Sequence, residues 1–234
     1  MENEPISIVM TSWDREEFTR KALISIKNKT VHPYRLILID NGSKHQGWLT
    51  QAKMDGLIDV LILLDKNYGL ETAKNMAMTF VESELFVSTD NDILASSCWL
   101  KKLLALMKQN PEYACIACRP QVLVGTGDIF KDTKEDVLEF SHIPGYLRLM
   151  KTDLTRQTGA WSDKRPLRGH EEYWISQKFR EMGHKVGWAV NVPCYHLFGK
   201  EGDWGYSGLE PHQHGHNPVG GLPRDDDKEV EKFL

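Results

Sequence analysis

The sequence predicts an α/β fold in which helices flank a mostly parallel central sheet. In the first half of the chain, short apolar runs alternate with amphipathic stretches, which is the pattern of successive βαβ units. Clusters of turn residues such as Asp40-Asn41-Gly42-Ser43 follow the apolar runs. With 41% hydrophobic residues among 234, the chain has enough apolar material for one sizeable core. We therefore expect a single domain over residues 1–234.

Four strands and three helices are predicted in the first half. The strands are short apolar runs at residues 6–10, 36–39, 60–64 and 85–88. Between them, helices are expected at residues 15–28, 45–55 and 70–82, the second of which is polar. In the first helix, Ala22, Leu23 and Ile26 are spaced as one apolar face.

The second half is less regular. A helix is expected at residues 99–109 and a strand at 114–117, whereas residues 120–168 show no clear periodicity and predict loops with an irregular excursion of the sheet. Ile175, Phe179 and Met182 recur at helical spacing and predict a helix at 171–182, followed by a strand at 185–192. The tail from residue 199 onward is rich in Gly, Pro, His and Asp, and predicts a loop with a frayed acidic end.

Charge and hydropathy argue against two classes of function. The net charge is −4, and no basic block is long enough to coat a polyanion, which argues against generic nucleic-acid binding. No apolar run approaches the roughly 20 residues of a membrane span. Residues 1–4 are acidic and lack the features of a signal peptide. We therefore expect a cytoplasmic protein.

The cysteines predict thiols rather than a metal site. Among the four, only Cys115 and Cys118 have a C-x-x-C spacing, and they lie in an apolar strand-like segment. A zinc ribbon needs a second such pair, which this chain lacks. We expect buried free thiols in a reducing compartment.

Three polar residues, Asp90-Asn91-Asp92, directly follow the fourth predicted strand. Ligands of open α/β sheets bind at the carboxyl ends of the strands. Two carboxylates at alternate positions can converge on one hard cation. Taken alone, the tripeptide is equally typical of a solvated turn.

Four motifs follow one another through this half: Thr11-Ser12-Trp13-Asp14-Arg15, Asp40-Asn41-Gly42-Ser43, Asn67-Tyr68-Gly69 with Ala73-Lys74-Asn75, and Asp90-Asn91-Asp92. In order and spacing they resemble the T-x-N-R, V-D-D/N-G-S, N-x-G…A-R-N and D-x-D motifs of the family-2 glycosyltransferases. That resemblance implies the GT-A fold, a Rossmann-like architecture for transfer from nucleotide-diphospho-sugars. It further implies a nucleotide-sugar-binding half at about 5–92, an acceptor-binding and catalytic half at about 93–200, and a loop-rich tail at about 201–234.

The resemblance also assigns residues to the donor. In the family, the first motif wraps the nucleotide and the Asp of the second meets the base. The residues implied at the nucleotide-sugar are Thr11, Trp13, Arg15, Asp40, Asn67, Lys74, Asp90 and Asn91. Lys74 stands where the family more often has Arg.

In the second half, Gly169-His170-Glu171-Glu172 resembles the family's G-x-E-D segment, whose Asp is the usual base. Here the resemblance implies Glu172 in that role, with a reach longer by one methylene. The segment that begins at His196 resembles a late H-x-x-G motif, in which the His can complete a metal shell. The implied metal ligands are Asp90, Asp92 and His196.

The chemistry agrees with these assignments. A nucleoside diphosphate leaves readily only when its charge is neutralised, and a divalent ion does this. Oxygen ligands favour Mn²⁺ or Mg²⁺, and an added imidazole favours Mn²⁺. The expected donor is a UDP-sugar, because most D-x-D enzymes use one. The expected acceptor carries a hydroxyl, on a carbohydrate, a lipid-linked sugar, a protein, a small molecule or a modified base. Inversion is expected if Glu172 acts as base in a single displacement.

Three alternatives stay open: a retaining GT-A glycosyltransferase, a nucleotidyltransferase and a non-catalytic sugar-binding module. A nucleotidyltransferase normally begins with a Gly-rich basic loop, and residues 10–15 contain no glycine. Trp161 and Trp204 lie in loop-like contexts and could line a sugar site. The alternating His212, His214 and His216 are interpreted as an exposed loop in preference to a metal site.

Overall fold

A computed structural model of the chain describes residues 4–121, 130, 133–161, 171–197 and 227–234. Within these residues the strands are β1 Ile6–Ser12, β2 Tyr34–Asp40, β3 Val60–Leu63, β4 Leu85–Asp90, β5 Ile93–Ala95, β6 Tyr113–Pro120, β7 Val137–Glu139, β8 Arg148–Lys151 and β9 Lys185–His196. The helices are α1 Glu16–Lys29, α2 Gly47–Met54, α3 Leu70–Met78, α4 Trp99–Gln109, α5 Thr152–Gln157, α6 Glu171–Glu181 and α7 Asp227–Phe233.

All the described strands join one sheet in the order β3-β2-β1-β4-β8-β6-β9-β5, with β7 also paired to β9. The first four strands of that order are mutually parallel, and β6 is parallel to β9. Strand β8 runs antiparallel to both β4 and β6, and β5 runs antiparallel to β9. The predicted α/β fold with a mostly parallel central sheet is therefore confirmed.

The sheet is buried on both faces. Along β2, Leu36 and Leu38 join one apolar cluster, whereas Ile37 and Ile39 join the cluster on the opposite face. Successive side chains of a strand point to opposite faces, so a strand covered by helices on both sides is apolar throughout. This is why the four predicted strands of the first half are continuous apolar runs.

The pairing of β1 with its neighbours sets the position of the site. Ser12 is in register with Asp40 at the end of β2, and Thr11 is in register with Asp90 at the end of β4. The carboxyl ends of three central strands therefore meet at one edge of the sheet.

Two predicted elements differ from the structure. Helix α3 ends at Met78 and not at residue 82, because the chain tightens there into turns in which the N–H groups of Thr79, Phe80 and Val81 donate to carbonyls three residues earlier. The tail was expected to be loop throughout, yet residues 227–233 form α7. Its Val230 and Phe233 pack into an apolar cluster with Leu94, Tyr195 and Leu197.

The irregular stretch of residues 120–168 contributes β7, β8 and α5, and β5 also was not predicted. Strands of three or four residues are too short to show the alternation that predicts a strand. None of the described helices combines the length and the apolar character that crossing a bilayer requires.

Candidate active site

Asp90 and Asp92 stand at the carboxyl end of β4, beside segments from the second half of the chain. The backbone N–H of Asp90 donates to the carbonyl of Gly145 at 3.0 Å, and the N–H of Leu197 donates to the carbonyl of Asp92 at 2.8 Å. The β7–β8 connection and the end of β9 are thereby tied to the Asp90–Asp92 turn. His196, at the end of β9, therefore lies beside the Asp90–Asp92 turn, and the predicted binding of a metal by these three residues stays a prediction.

Asp92 is buried between the side chains of Arg15 and His196. Its Oδ2 lies 2.7 Å from Nη1 of Arg15 and 3.5 Å from Nε2 of His196. Burial alone would raise the pKa of Asp92, but His196 and Arg15 outweigh that effect and hold the pKa below its usual value. Burial would lower the pKa of His196, but the charge of Asp92 and a hydrogen bond to it raise the pKa above its usual value.

The loop that carries Arg15 has an unusual backbone conformation. Asp14 and Arg15 both have left-handed conformations, with φ of 50° and 53°, immediately before α1. The guanidinium of Arg15 lies over the ring of Phe18 at 4.2 Å. The N–H of Asp14 donates to Oγ of Ser43 at 2.6 Å, which ties this loop to the one after β2. Such strained residues cluster at functional sites.

A second group of charges surrounds Glu172 at the start of α6. Nζ of Lys74 lies 3.6 Å from Oδ1 of Asp90 and 3.6 Å from Oε1 of Glu172. Nη2 of Arg148 lies 4.0 Å from the same Oε1. Lys74 and Arg148 are each only 1% exposed, and Lys74 also lies 5.9 Å from the ring of Trp161. Buried cations are stable only beside such partners.

Asp40 is engaged by the protein itself. Its two oxygens accept hydrogen bonds from the hydroxyls of Ser12 and Ser43, from the N–H of Ser43 and from Nε2 of Gln46. The side chain is buried, so it holds the turn after β2 in place. The predicted contact with the base stays a prediction.

Three other predicted donor residues have defined surroundings. Asn91 donates from Nδ2 to the hydroxyl of Thr19 on α1 at 2.8 Å, within the protein interior. Oδ1 of Asn67 accepts from Nδ2 of Asn41 and from the N–H of Gly69. The buried hydroxyl of Thr11 has no hydrogen-bond partner in the described part of the chain.

Next to the Arg15–Asp92 pair is a cleft of about 300 Å³. It lies between the start of α1 and the loop after β2, and its lining consists of Asp14, Arg15, Glu16, Ser43, Lys44, His45 and Trp48. Of these, only Arg15 was predicted at the donor. The partly exposed Trp13 belongs to the same loop.

Three residues that the sequence did not predict, Gly145, Tyr146 and Arg148, are brought to the site by the β7–β8 connection and β8. The ring of Tyr146 lies 5.4 Å from that of His196. Burial raises the pKa of Tyr146, and the negative charges of Asp92, Asp90 and Glu172 raise it further. The pair Pro144-Gly145 was the only available signal, and it predicts a turn without predicting its location.

The family model for glycosyl transferase family 2 matches residues 7–169, which is more than half of the chain. The chain belongs to glycosyl transferase family 2. It is also similar to an uncharacterized glycosyltransferase of Haemophilus influenzae, with 23% identity over 216 residues. That match covers 82% of this chain and 64% of the relative, so the chain spans less than two thirds of the relative's length.

Solved structures show the same fold. GalNAc-T7 with UDP, GalNAc and Mn²⁺ matches with a TM-score of 0.69 at 14% identity, over 83% of this chain and 44% of that one. S. aureus TarS in complex with UDP-GlcNAc matches at 0.66 and 16%, over 84% and 60%. The mannosyltransferase PcManGT from Pyrobaculum calidifontis, with GDP-Man and Mn²⁺, matches at 0.67 and 16%, over 84% and 58%. These likenesses confirm the predicted GT-A fold.

The side chains that could act as metal ligands in this family 2 chain suit a divalent cation. In the described segments, no group of three His, Cys, Asp or Glu side chains is arranged so that it could hold a metal ion. However, the buried Oδ1 of Asp92 has no hydrogen-bond partner within those segments, and His196 adjoins the same carboxylate. A buried carboxylate oxygen without a donor is a position that a cation would satisfy.

Some predicted positions lie outside the described residues: Arg168 to His170, Trp204, and His212, His214 and His216. Trp161 was expected in a loop that could line a sugar. It is 1% exposed and packs edge-on against Phe86 at 6.4 Å. Its position is therefore beneath Lys74 and not on the open face of the site. Cys115, Cys118 and Cys194 are buried free thiols, as predicted, whereas the free thiol of Cys98 is only partly buried. The predicted reducing compartment stays a prediction.

Proposed function

We propose that this chain transfers a sugar from a nucleotide-diphospho-sugar to a hydroxyl acceptor, with UDP as the nucleotide and with Mn²⁺ or Mg²⁺ as cofactor. Membership of glycosyl transferase family 2 supports the reaction class. The similar solved structures contain UDP with Mn²⁺, UDP-GlcNAc, and GDP-Man with Mn²⁺, which supports this type of donor and cofactor.

One observation carries the proposal: Lys74 lies between the D-x-D carboxylate Asp90 and the helix carboxylate Glu172, 3.6 Å from each. Asp90 belongs to the half predicted to bind the donor, and Glu172 belongs to the half predicted to act on the acceptor. A transferase that joins two substrates needs these groups within one small volume.

Asp90, Asp92 and His196 would hold the cation, which would offset the charge of the departing nucleoside diphosphate. Arg15 and Lys74 are cations at the same edge of the sheet. They add positive charge where the diphosphate would lie. The cleft beside Arg15 would receive the nucleoside, since it opens at the carboxyl ends of β1 and β2.

Glu172 would accept the proton of the acceptor hydroxyl as that oxygen attacks the sugar. Its carboxylate lies at the start of α6, and ion pairs with the side chains of Lys74 and Arg148 orient it. Attack from the face opposite the leaving group gives a product of inverted configuration. The longer side chain compared with the family's Asp is accommodated between these two buried cations.

A panel of UDP-, GDP- and dTDP-sugars tests the function. The chain is incubated with each sugar and Mn²⁺, and the release of nucleoside diphosphate is measured with and without EDTA. We expect one nucleotide series to release nucleoside diphosphate, and EDTA to stop that release. Release of pyrophosphate in a separate reaction supplied with UTP, GTP or dTTP and a sugar 1-phosphate would instead indicate a nucleotidyltransferase. Binding of a sugar without turnover of any donor would indicate a non-catalytic module, and a retained anomeric configuration in the product would exclude inversion.

A further inference from the structure

The connection between β7 and β8 has a strained backbone at the edge of the site. The N–H of Tyr146 donates to the carbonyl of Pro144, two residues earlier, at 2.8 Å. Leu147 then has a left-handed conformation, with φ of 44°, although its side chain is bulky and fully buried. A turn this tight followed by a left-handed leucine is costly and persists only when its surroundings enforce it.

Those surroundings are residues of the site itself. The carbonyl of Gly145 accepts the N–H of Asp90, and a Cβ at Gly145 would overlap the carboxylate of Asp90. Nη1 of Arg148 donates to the carbonyl of Ile143 at 3.2 Å, which closes the loop from its other end. These contacts hold the loop beside the D-x-D carboxylates.

In this position the loop presents Tyr146 to the centre of the site. The ring lies between His196, at 5.4 Å, and Trp188, at 5.9 Å. The residue is only partly buried, and its hydroxyl makes no hydrogen bond to any residue that the structure describes. The carboxylates of Asp90, Asp92 and Glu172 all act electrostatically on that hydroxyl.

A group transferred between the diphosphate and an acceptor must lie between Asp90 and Asp92 on one side and Glu172 on the other. The ring of Tyr146 lies beside His196, which adjoins the Asp92 carboxylate, and the residue before it is hydrogen-bonded to Asp90. Resting on the proposed function, we infer that Tyr146 is a donor-binding residue whose hydroxyl hydrogen-bonds a hydroxyl group of the transferred sugar. The aromatic ring also offers an apolar face to the C–H groups of that sugar.

A role in packing alone predicts something different. The ring of Tyr146 contacts both apolar clusters of the sheet, and Tyr146→Phe keeps those contacts. If the residue serves only packing, loss of the hydroxyl changes nothing. If the hydroxyl holds the sugar, its loss affects ligands that carry a sugar and spares the free nucleotide.

The test compares nucleotide and nucleotide-sugar binding to wild type and Tyr146→Phe. Calorimetric titrations with Mn²⁺ use UDP and UDP-GlcNAc, or GDP and GDP-mannose if wild type prefers guanine. Tyr113→Phe is the matched control, because Tyr113 is buried at the opposite end of β6 and β9. We expect Tyr146→Phe to bind the free nucleotide as wild type does, to bind the nucleotide-sugar about five- to tenfold more weakly, and to melt at the wild-type temperature.

Each other outcome has a defined consequence. Unchanged affinity of Tyr146→Phe for the nucleotide-sugar, or an equal loss for both ligands, would overturn the role of Tyr146 while leaving the proposed function intact. If wild type binds neither nucleotide nor nucleotide-sugar, the proposed function is overturned, and the role of Tyr146 with it.

Discussion

Arg15 and Asp92 form an ion pair at 2.7 Å between a strained loop and the turn after β4. The side chain of Asp92 is 9% exposed and that of Arg15 is 25% exposed. A largely buried carboxylate of the site thus has its closest described cation in the loop between β1 and α1. The pair links the cleft beside Arg15 to the D-x-D turn.

Removal of this cation should destabilise the fold. In Arg15→Ala the buried carboxylate keeps only His196 as a described cationic neighbour, and we expect the free energy of unfolding to fall by about 1–3 kcal/mol. Urea denaturation at neutral pH measures the loss. Arg20→Ala is the matched control, because Arg20 pairs with Glu16 on the exposed face of α1 and should cost less than about 1 kcal/mol. Equal losses in the two variants would contradict a special role for the Arg15–Asp92 pair.

A side chain at Gly145 should displace Asp90. The added Cβ of Gly145→Ala would overlap the Asp90 carboxylate, and overpacking of this kind costs about 1–3 kcal/mol. We expect lower stability together with a loss of transfer activity. Gly47→Ala is the control, because a Cβ at that position meets no atom within 4 Å at the start of α2. An active Gly145→Ala variant of wild-type stability would show that Asp90 can move without consequence.

Loss of the carboxylate at Glu172 should slow transfer without weakening donor binding. We expect kcat of Glu172→Gln to fall by about 10²–10⁴, because an amide cannot accept the acceptor's proton. Initial rates and titration with the free nucleotide separate the two effects. The control is Glu181→Gln, on the exposed last turn of the same helix. A Glu172→Gln variant with wild-type kcat would remove Glu172 from the chemistry.

Three of the four thiols should be inert in the native protein. Burial raises the pKa of Cys115 to about 12, and it also raises the pKa of Cys118 and of Cys194. At pH 8 these groups have almost no reactive thiolate. We expect Ellman's reagent to modify the partly exposed Cys98 in the native protein and all four thiols after unfolding. Rapid modification of a second native thiol would contradict the burial of this cluster.

The last helix should contribute to stability through one aromatic side chain. Phe233 packs with its ring centre 5.8 Å from that of Tyr195, and its carbonyl accepts the hydroxyl of Ser25. We expect Phe233→Ala to lower the free energy of unfolding by about 3 kcal/mol. Glu231→Ala on the exposed side of the helix is the control. Identical denaturation midpoints of the two variants would mean that α7 contributes nothing at this position.

Most of the fold could be predicted where elements are long and strongly patterned. The parallel strands β1, β2 and β4 are continuous apolar runs because both faces of the sheet are covered, and they appear in the sequence without ambiguity. Strands β5, β7 and β8 could not be predicted, because three or four residues carry too little periodicity. Helix α7 is polar in composition and forms where its two apolar residues find a cluster to cover.

The candidate site likewise contains residues that could be predicted from the sequence and residues that could not. Asp90, Asp92, Lys74 and Glu172 could be identified because each belongs to a motif of local sequence. Two of their neighbours in the site could not. Arg148 and Tyr146 come from a stretch without periodicity, and nothing in the local sequence indicates that Arg148 is buried beside Glu172.

The sequence by itself determined the order of the strands and helices of the first half, the family, and the carboxylates at the end of β4, since these depend on local patterns along the chain. Only the tertiary structure decided which charges meet. Lys74 reaches both Asp90 and Glu172, Arg15 reaches Asp92, and Tyr146 lies beside His196, because β8 is inserted beside β4 and β9 ends beside the D-x-D turn. Such contacts join residues far apart in the chain, and burial, which makes each pairing necessary, exists only in the folded state.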